Sequence, residues 1–160
     1  MKRISDGLEK IISVVLFFIM TVLVVITFLQ VFSRFILHIP IAWSEEVIRM
    51  SFVWMISLGS AVAIKENSHL VMDMLTSAVS EKMRKVLRMI VLVLILGVSV
   101  ILLVAGANYV VRSMGKTAVT MPIPSNCVYI AIPVSAVVMI FYTVEQAILE
   151  LNRNRKEAAS

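Results

Sequence analysis

The sequence predicts an all-α integral membrane protein with four transmembrane helices in a single domain, residues 1–160. Three stretches without Asp, Glu, Lys or Arg, at 11–29, 89–111 and 125–144, match the roughly 20 residues that cross a bilayer as a helix. A shorter uncharged run lies at 50–64. The composition agrees with this fold class, because 60% of the residues are hydrophobic against about half in soluble domains.

The distribution of basic residues identifies the short run at 50–64 as a span. With four spans, eleven of the 15 Lys and Arg residues lie on the side that carries both termini, and four lie on the other side. With three spans the division would be five inside against ten outside, which the positive-inside rule disfavours. We therefore predict four spans with both termini in the cytoplasm.

The predicted spans occupy about 9–37, 47–65, 82–112 and 125–150. The first helix should break near Ile39, because the residue before Pro40 avoids helical geometry. Ser44 suits the N-cap of the second helix, which is expected to end near residues 65–67. The fourth helix is expected to start near Ser125 and to pass through Pro133.

A short amphipathic helix is predicted at about 69–79, between the second and third spans. Its apolar residues recur at helical spacing and alternate with polar ones, which is typical of a helix in the membrane interface. These apolar residues are Leu70, Val71, Met74, Leu75 and Val79. Such a helix either covers the ends of the bundle or docks another subunit.

Few residues in the spans could carry chemistry. Ionisable groups inside lipid are costly and mark functional sites, and the uncharged cores of these spans contain none. His38 and His69 fall in predicted connectors, so no facing haem ligands are expected. Cys127 belongs to no disulfide or metal motif, and there is no nucleophile elbow or Walker loop. We therefore predict no catalytic residue, no cofactor, no metal site and no enzyme activity.

The net charge of +5 comes from clusters that flank the spans, so it predicts topology and no binding of nucleic acid. One cluster lies at the start of the third helix and consists of Lys82, Arg84, Lys85 and Arg88. Contact with the anionic headgroups of membrane phospholipid is a second role for this cluster.

Two polar residues lie near the outer end of the first helix. Gln30 and Arg34 are four residues apart and share a face of an α-helix. Arg34 could pair with Glu45 or Glu46 at the start of the second helix, which would fix the first hairpin. Contact with a partner protein is equally open, since polar groups in a membrane find partners either way.

Several motifs together resemble the small membrane subunit of tripartite ATP-independent periplasmic (TRAP) transporters. The first group is Trp43, Ser44, Glu45 and Glu46, followed by Arg49, Trp54 and Gly59, then His69, Leu70 and Asp73. The second group is Pro122, Ile123, Pro124, Tyr129 and Pro133, similar to the family's proline-bearing entry to the last helix. The similarity extends from about Leu29 to Tyr142 and matches the length and the four-span layout.

This resemblance implies a multi-pass subunit of the bacterial inner membrane that holds the stationary scaffold of a large membrane subunit. In the family, a periplasmic substrate-binding protein captures an organic acid, and the large subunit carries it inward with sodium ions by an elevator-like movement. Family substrates include C4-dicarboxylates, sialic acid and other sugar acids. The resemblance also implies contact residues for the first hairpin and the large subunit, namely Trp43, Glu45, Glu46, Arg49 and Trp54.

Two other functions remain open at the level of sequence. The chain could be an autonomous small transporter that works as an oligomer, although this needs a polar pathway through the helices. It could also be a membrane anchor for a redox or signalling partner, docked on the amphipathic helix. Because the chain ends soon after the fourth helix, we expect a separate subunit and not one fused to its large partner.

Overall fold

The computed structural model of the chain describes residues 2–39, 41–75, 81–115 and 126–157. These residues form helices and no strand. In chain order the helices are α1 (Lys2–Phe32), α2 (Ala42–Leu75), α3 (Glu81–Arg112), the short α4 (Asn126–Tyr129) and α5 (Ala131–Glu157). In the described part of the chain, four apolar segments are long enough to cross a membrane: Ser5–Leu37, Ala42–Glu66, Val86–Arg112 and Asn126–Leu151. The predicted all-α fold with four membrane-spanning helices is confirmed.

The four long helices form an open row. α1 packs on α2, α2 packs on α5, and α5 packs on α3, while α4 contacts α2 and α3. α5 is therefore central, and α1 and α3 lie at the two edges. In the most apolar window of each span, 28% of the residues are buried in the α4–α5 span, 17% in the spans of α2 and α3, and 6% in the span of α1. We call the end where α1 begins and α5 ends the terminal end, and the opposite end, where α1 leads into α2, the hairpin end.

α1 is longer than predicted and ends in a distinctive turn. It begins at Lys2, seven residues before the predicted span, and continues into a π-helical turn at Ser33–Leu37. His38 then adopts a left-handed conformation with φ 56°, one residue before the predicted break. The Ser33 hydroxyl donates to the carbonyl of Ile39 at 2.6 Å, and the Ile39 N–H donates to the Ser33 carbonyl at 3.3 Å. These two bonds close the chain at the end of the helix.

α2 differs from the prediction at both ends. It begins at Ala42, so Ser44 lies in the first turn and is not the N-cap; its hydroxyl donates to the Ile41 carbonyl at 2.7 Å. At the other end the helix continues past residues 65–67 to Leu75 without the predicted break. No Gly or Pro occurs between Ser60 and Leu75, so nothing interrupts the backbone hydrogen bonds there.

The predicted amphipathic helix at 69–79 is therefore, as far as Leu75, the last part of α2. Residues 76–80 lie outside the described residues. The location of this segment in the membrane interface stays a prediction.

The fourth span contains an interruption where a single helix was predicted. α4 ends at Tyr129 and α5 starts at Ala131. Pro133 has no N–H with which to donate to the carbonyl of Tyr129 four residues earlier, so the ladder has a gap at this point. Regular bonding resumes with the N–H of Val134, which donates to the Ile130 carbonyl at 3.2 Å.

α3 packs along α5 in one constant register. The side chain of Ile132 lies opposite Gly106 near the hairpin end, and Glu150 pairs with Arg88 near the terminal end. Both intervals are 18 residues, which is about five turns of an α-helix, so one face of each helix carries both contacts. Buried residues recur at seven-residue spacing along this face of α3 and just beyond its end: Leu92, Ser99, Gly106 and Ser113. Small residues at such positions let two membrane helices approach closely.

A second contact joins α1, α2 and α5. Ile12, Leu58 and Val62 form a buried apolar cluster, and Val138 of α5 packs against it. α1 is thus attached to the row mainly through its packing on α2.

Candidate functional site

Charged residues of the described spans lie only toward the two ends of the helices. The middle of each span, at 11–29, 50–64, 89–111 and 126–144, contains no Asp, Glu, Lys or Arg. Within the described ranges, no group of three or more His, Cys, Asp or Glu side chains could hold a metal ion. The candidate functional features are therefore the polar groups at the terminal end and at the hairpin end.

At the terminal end, Lys65 joins three helices. Its ammonium group lies 2.8 Å from Oδ1 of Asp6 and 2.6 Å from Oε2 of Glu9, both on α1. The same group stands 5.7 Å from the ring centroid of Tyr142 on α5. The Lys65 side chain is 16% exposed, so these interactions are partly shielded from solvent. Lys65 therefore anchors α1 and also contacts the central helix of the row.

Two further polar contacts continue this arrangement across the row. The Gln146 side-chain amide on α5 donates to the carbonyl of Ile64 on α2 at 2.9 Å. The Arg88 guanidinium on α3 donates to Oε1 of Glu150 on α5, and the two side chains are 19% and 9% exposed. We call this set of contacts the terminal clasp: Asp6, Glu9, Lys65, Arg88, Gln146 and Glu150.

The sequence analysis did not find the terminal clasp. From the sequence, Arg88 is predicted only as a member of a basic cluster with a second role at phospholipid headgroups. Opposite charges at the same predicted depth, such as Arg88 and Glu150, are the signal that could have suggested a pair. The order of the helices in the row decides which side chains come into contact. The hydropathy and charge pattern of a single sequence does not give this order.

Of the four basic residues predicted to contact phospholipid headgroups, the structure describes the side chain of Arg88 alone. Arg88 is directed at Glu150. The side chains of Lys82, Arg84 and Lys85 lie outside the described part of the structure. Contact of this cluster with headgroups stays a prediction.

At the hairpin end, the start of α2 presents most of the predicted partner-contact residues at the surface. Trp43 is 45% exposed, and Glu45 and Arg49 are also exposed. Glu46, in the same first turns, is half-buried. Trp54 lies deeper, and its indole N–H donates to the carbonyl of Cys127 on α4 at 3.0 Å. The structure thus uses Trp54 inside the chain, and contact of the group with a partner protein stays a prediction.

Gln30 and Arg34 lie near the hairpin end of the first span, where Gln30 is half-buried and Arg34 is exposed. A contact between Arg34 and Glu45 or Glu46, which would fix the first hairpin, stays a prediction. Arg34 remains open to solvent, lipid headgroups or a partner.

Aromatic and backbone contacts connect α3 to the α4–α5 span at the hairpin end. The rings of Tyr109 and Tyr129 meet edge to face, with centroids 4.5 Å apart. A Cβ atom built on Gly106 would lie 2.9 Å from Cγ2 of Ile132 and 3.1 Å from Cδ of Pro133. Glycine at this position therefore permits the close approach of the two spans.

Comparisons with known proteins agree with this architecture. The family described as tripartite ATP-independent periplasmic transporters, DctQ component, matches residues 23–153. The sialic acid TRAP transporter small permease protein SiaQ of Vibrio cholerae is 34% identical over 84 residues, which are 52% of this chain and 47% of SiaQ. A putative TRAP transporter small permease protein of Haemophilus influenzae is 24% identical over 139 residues, 87% of this chain and 84% of that protein.

Another relative is much longer than the matched region. The sialic acid TRAP transporter permease protein SiaT of Haemophilus influenzae is 29% identical over 112 residues, which are 70% of this chain and 18% of SiaT. The chain thus spans about a fifth of SiaT and about half of SiaQ.

Proposed function

This chain belongs to the DctQ-component family of tripartite ATP-independent periplasmic transporters, and from that membership we propose that it braces the large membrane subunit of one such transporter. Together, the family and the four apolar helices make it a multi-pass protein of the inner membrane. The family is one of transporter subunits and not of enzymes. In our proposal, a periplasmic binding protein delivers an organic acid, and the large subunit carries the acid inward with sodium ions by an elevator movement.

The observation that carries this proposal is the uncharged middle of all four described spans. A transporter needs polar side chains or opened backbone near the membrane midplane to bind an organic acid and sodium ions. The interruption at Ile130 lies near the hairpin end and not at the middle of the span. The described spans therefore offer no mid-membrane charge to pair with an ionised solute, which argues against an autonomous transporter.

The open row suits a bracing role. A row of helices leaves two broad apolar faces, and its edge helix α1 is almost entirely exposed along its length. Lipid can cover such faces, so apolar exposure alone does not require a partner. The exposed charges Glu45 and Arg49 beside Trp43 are different, because polar groups at a membrane surface are readily matched by a partner's polar groups. We place the contact with the large subunit at this group.

For the substrate, we propose a chemical class and not a single compound. Relatives of this chain are named for sialic acid and for C4-dicarboxylates, both of which are organic acids. We propose an organic acid of this kind, either a C4-dicarboxylate, sialic acid or another sugar acid. Because the described spans contain no mid-membrane charge to pair with an acid, we propose that the choice among them falls to the large subunit and the binding protein.

Co-purification tests the bracing role. We expect an affinity-tagged form of this chain, expressed with the products of adjacent reading frames, to retain a large polytopic membrane protein in mild detergent. The reason is that a stationary brace must stay bound throughout transport. The proposal fails if the large protein is extracted in full while the tagged chain elutes without it.

Substitution of both Glu45 and Glu46 by Ala tests the proposed contact. We expect this variant to insert into the membrane normally but to retain less of the large protein. Glu66→Ala is the matched control, since Glu66 is an exposed carboxylate near the other end of the same span. Retention equal to wild type in the double variant would remove these carboxylates from the contact.

A further inference from the structure

Three buried polar groups near the terminal end have no hydrogen-bond partner within the described residues. They are the hydroxyl of Ser5, the hydroxyl of Tyr142 and Oε1 of Glu145. The three residues are 1%, 0% and 6% exposed. Leaving a buried donor or acceptor unpaired is costly, so such groups in native proteins are commonly bound by ordered water.

The helices bring the three groups to one level of the row. Tyr142 and Glu145 are three residues apart and share a face of α5. One turn before Tyr142, Val138 packs against the cluster that contains Ile12 of α1. Ser5 lies seven residues, about two turns, before Ile12 and on the same face of α1. Because α1 and α5 run in opposite directions, moving from this cluster toward the terminal end leads to Ser5 on α1 and to Tyr142 and Glu145 on α5.

The charges around this junction leave Glu145 in need of a donor. The Lys65 ammonium lies 2.8 Å from Asp6 and 2.6 Å from Glu9 of α1, and 5.7 Å from the ring centroid of Tyr142 on α5. These charges therefore lie next to Tyr142. Oε1 of Glu145 accepts from no described side chain.

We propose that the junction of α1, α2 and α5 binds ordered water, which donates to Oε1 of Glu145 and bonds to the hydroxyls of Ser5 and Tyr142. Water fits this set because it both donates and accepts, and a buried water typically makes about three hydrogen bonds. The described residues offer no cluster of acidic, His or Cys ligands for a metal ion. The water extends the terminal clasp and ties α1 to α5, which otherwise are held together through α2.

The sign of a thermal shift tests the proposal. If water bridges these groups, Tyr142→Phe and Ser5→Ala each remove a bond, and each lowers the unfolding midpoint of the full chain in nanodiscs by about 2–4 °C. The two changes combined lower it by less than the sum, because both release the same water. If the hydroxyls are unbridged, each change removes an unsatisfied polar group, and the midpoint stays equal or rises.

The matched control for Ser5→Ala is Ser13→Ala, at an exposed residue of the same helix, α1. The matched control for Tyr142→Phe is Tyr109→Phe, at an exposed tyrosine of α3. We expect neither control to move the midpoint. An unchanged or raised midpoint in Tyr142→Phe overturns the proposal. A midpoint that rises when Na⁺ replaces choline, in wild type but not in Glu145→Gln, assigns the site to a cation and also overturns it. Density for water between the three side chains, in a map of the assembled complex, supports it directly.

Discussion

At the scale of single residues, Gly106 controls how closely two spans approach. The nearest atoms to a methyl group added at this position would be Cγ2 of Ile132 and the ring of Pro133, within 2.9–3.2 Å. A β-branched side chain and a proline ring have little freedom to move aside. Glycine at this position therefore reflects packing and not flexibility.

Gly106→Ala is expected to destabilise the chain by about 1–3 kcal/mol, the usual cost of overpacking a close contact. Gly97→Ala is the matched control, because Gly97 lies on the same helix and a Cβ there meets no atom within 4 Å. We expect the control to leave stability unchanged or slightly raised, since Ala favours the helix more than Gly does. Unfolding in detergent by a graded denaturant measures both. Equal stability of the two variants would contradict the close packing of α3 on α5.

At the scale of helices, the terminal clasp fixes the order of the row. Apolar faces of membrane helices gain little by packing on one another instead of on lipid, so polar contacts add specificity. Lys65 selects α1 as the neighbour of α2, and the pair of Arg88 and Glu150 selects α3 as the neighbour of α5. The hairpin end adds the hydrogen bond from Trp54 to Cys127.

Arg88→Met tests the clasp, because it leaves the mostly buried carboxylate of Glu150 without its cation. We expect a loss of about 3 kcal/mol of stability, near the lower end for breaking a buried pair. The double variant Arg88→Met, Glu150→Leu should recover much of this loss, since no unpaired charge remains. Lys10→Ala, at an exposed residue of α1, is a control that should change little. A double variant as unstable as the single one would contradict this account, because the unpaired carboxylate would then not be the cause of the loss.

The helices that the sequence predicted well are those defined by local hydropathy. Four spans, the presence of Pro133 in the last one and the absence of mid-span charges can all be read from neighbouring residues. The predicted end of the second helix at residues 65–67 is wrong. The prediction took the polar side chains there as the end of the helix, whereas α2 has no Gly or Pro at these positions to interrupt it. The pairing of Lys65 with α1 could not be predicted, because it depends on which helices become neighbours.

At the hairpin end, too, some contacts could not be predicted from the local sequence. A pair between Arg34 and the start of α2 was a reasonable expectation for two helices joined by a short turn. That pair stays a prediction. The π-helical turn and the left-handed His38 at the end of the first span leave no simple signal in the sequence. Trp54 was placed among partner contacts by resemblance, while the structure gives its N–H an acceptor within the chain.

At the scale of the whole molecule, the chain is a row of apolar helices held at its terminal end by polar contacts, with exposed charges at its hairpin end. This arrangement has the surface for a neighbour but no charged group along the middle of the membrane. If both termini lie in the cytoplasm, as the positive-inside rule predicts, the terminal clasp faces the cytoplasm and the group of Trp43, Glu45 and Arg49 faces the periplasm. In the proposed function, partner binding and solute transport belong to different subunits.

Uptake into proteoliposomes tests this division most directly. Vesicles that contain this chain alone are expected to take up no more radiolabelled sialic acid or C4-dicarboxylate than empty vesicles, with or without a sodium gradient. Vesicles that also contain the large subunit, supplied with the binding protein, should accumulate the acid when sodium is present outside. Sodium-dependent uptake by this chain alone would contradict the account.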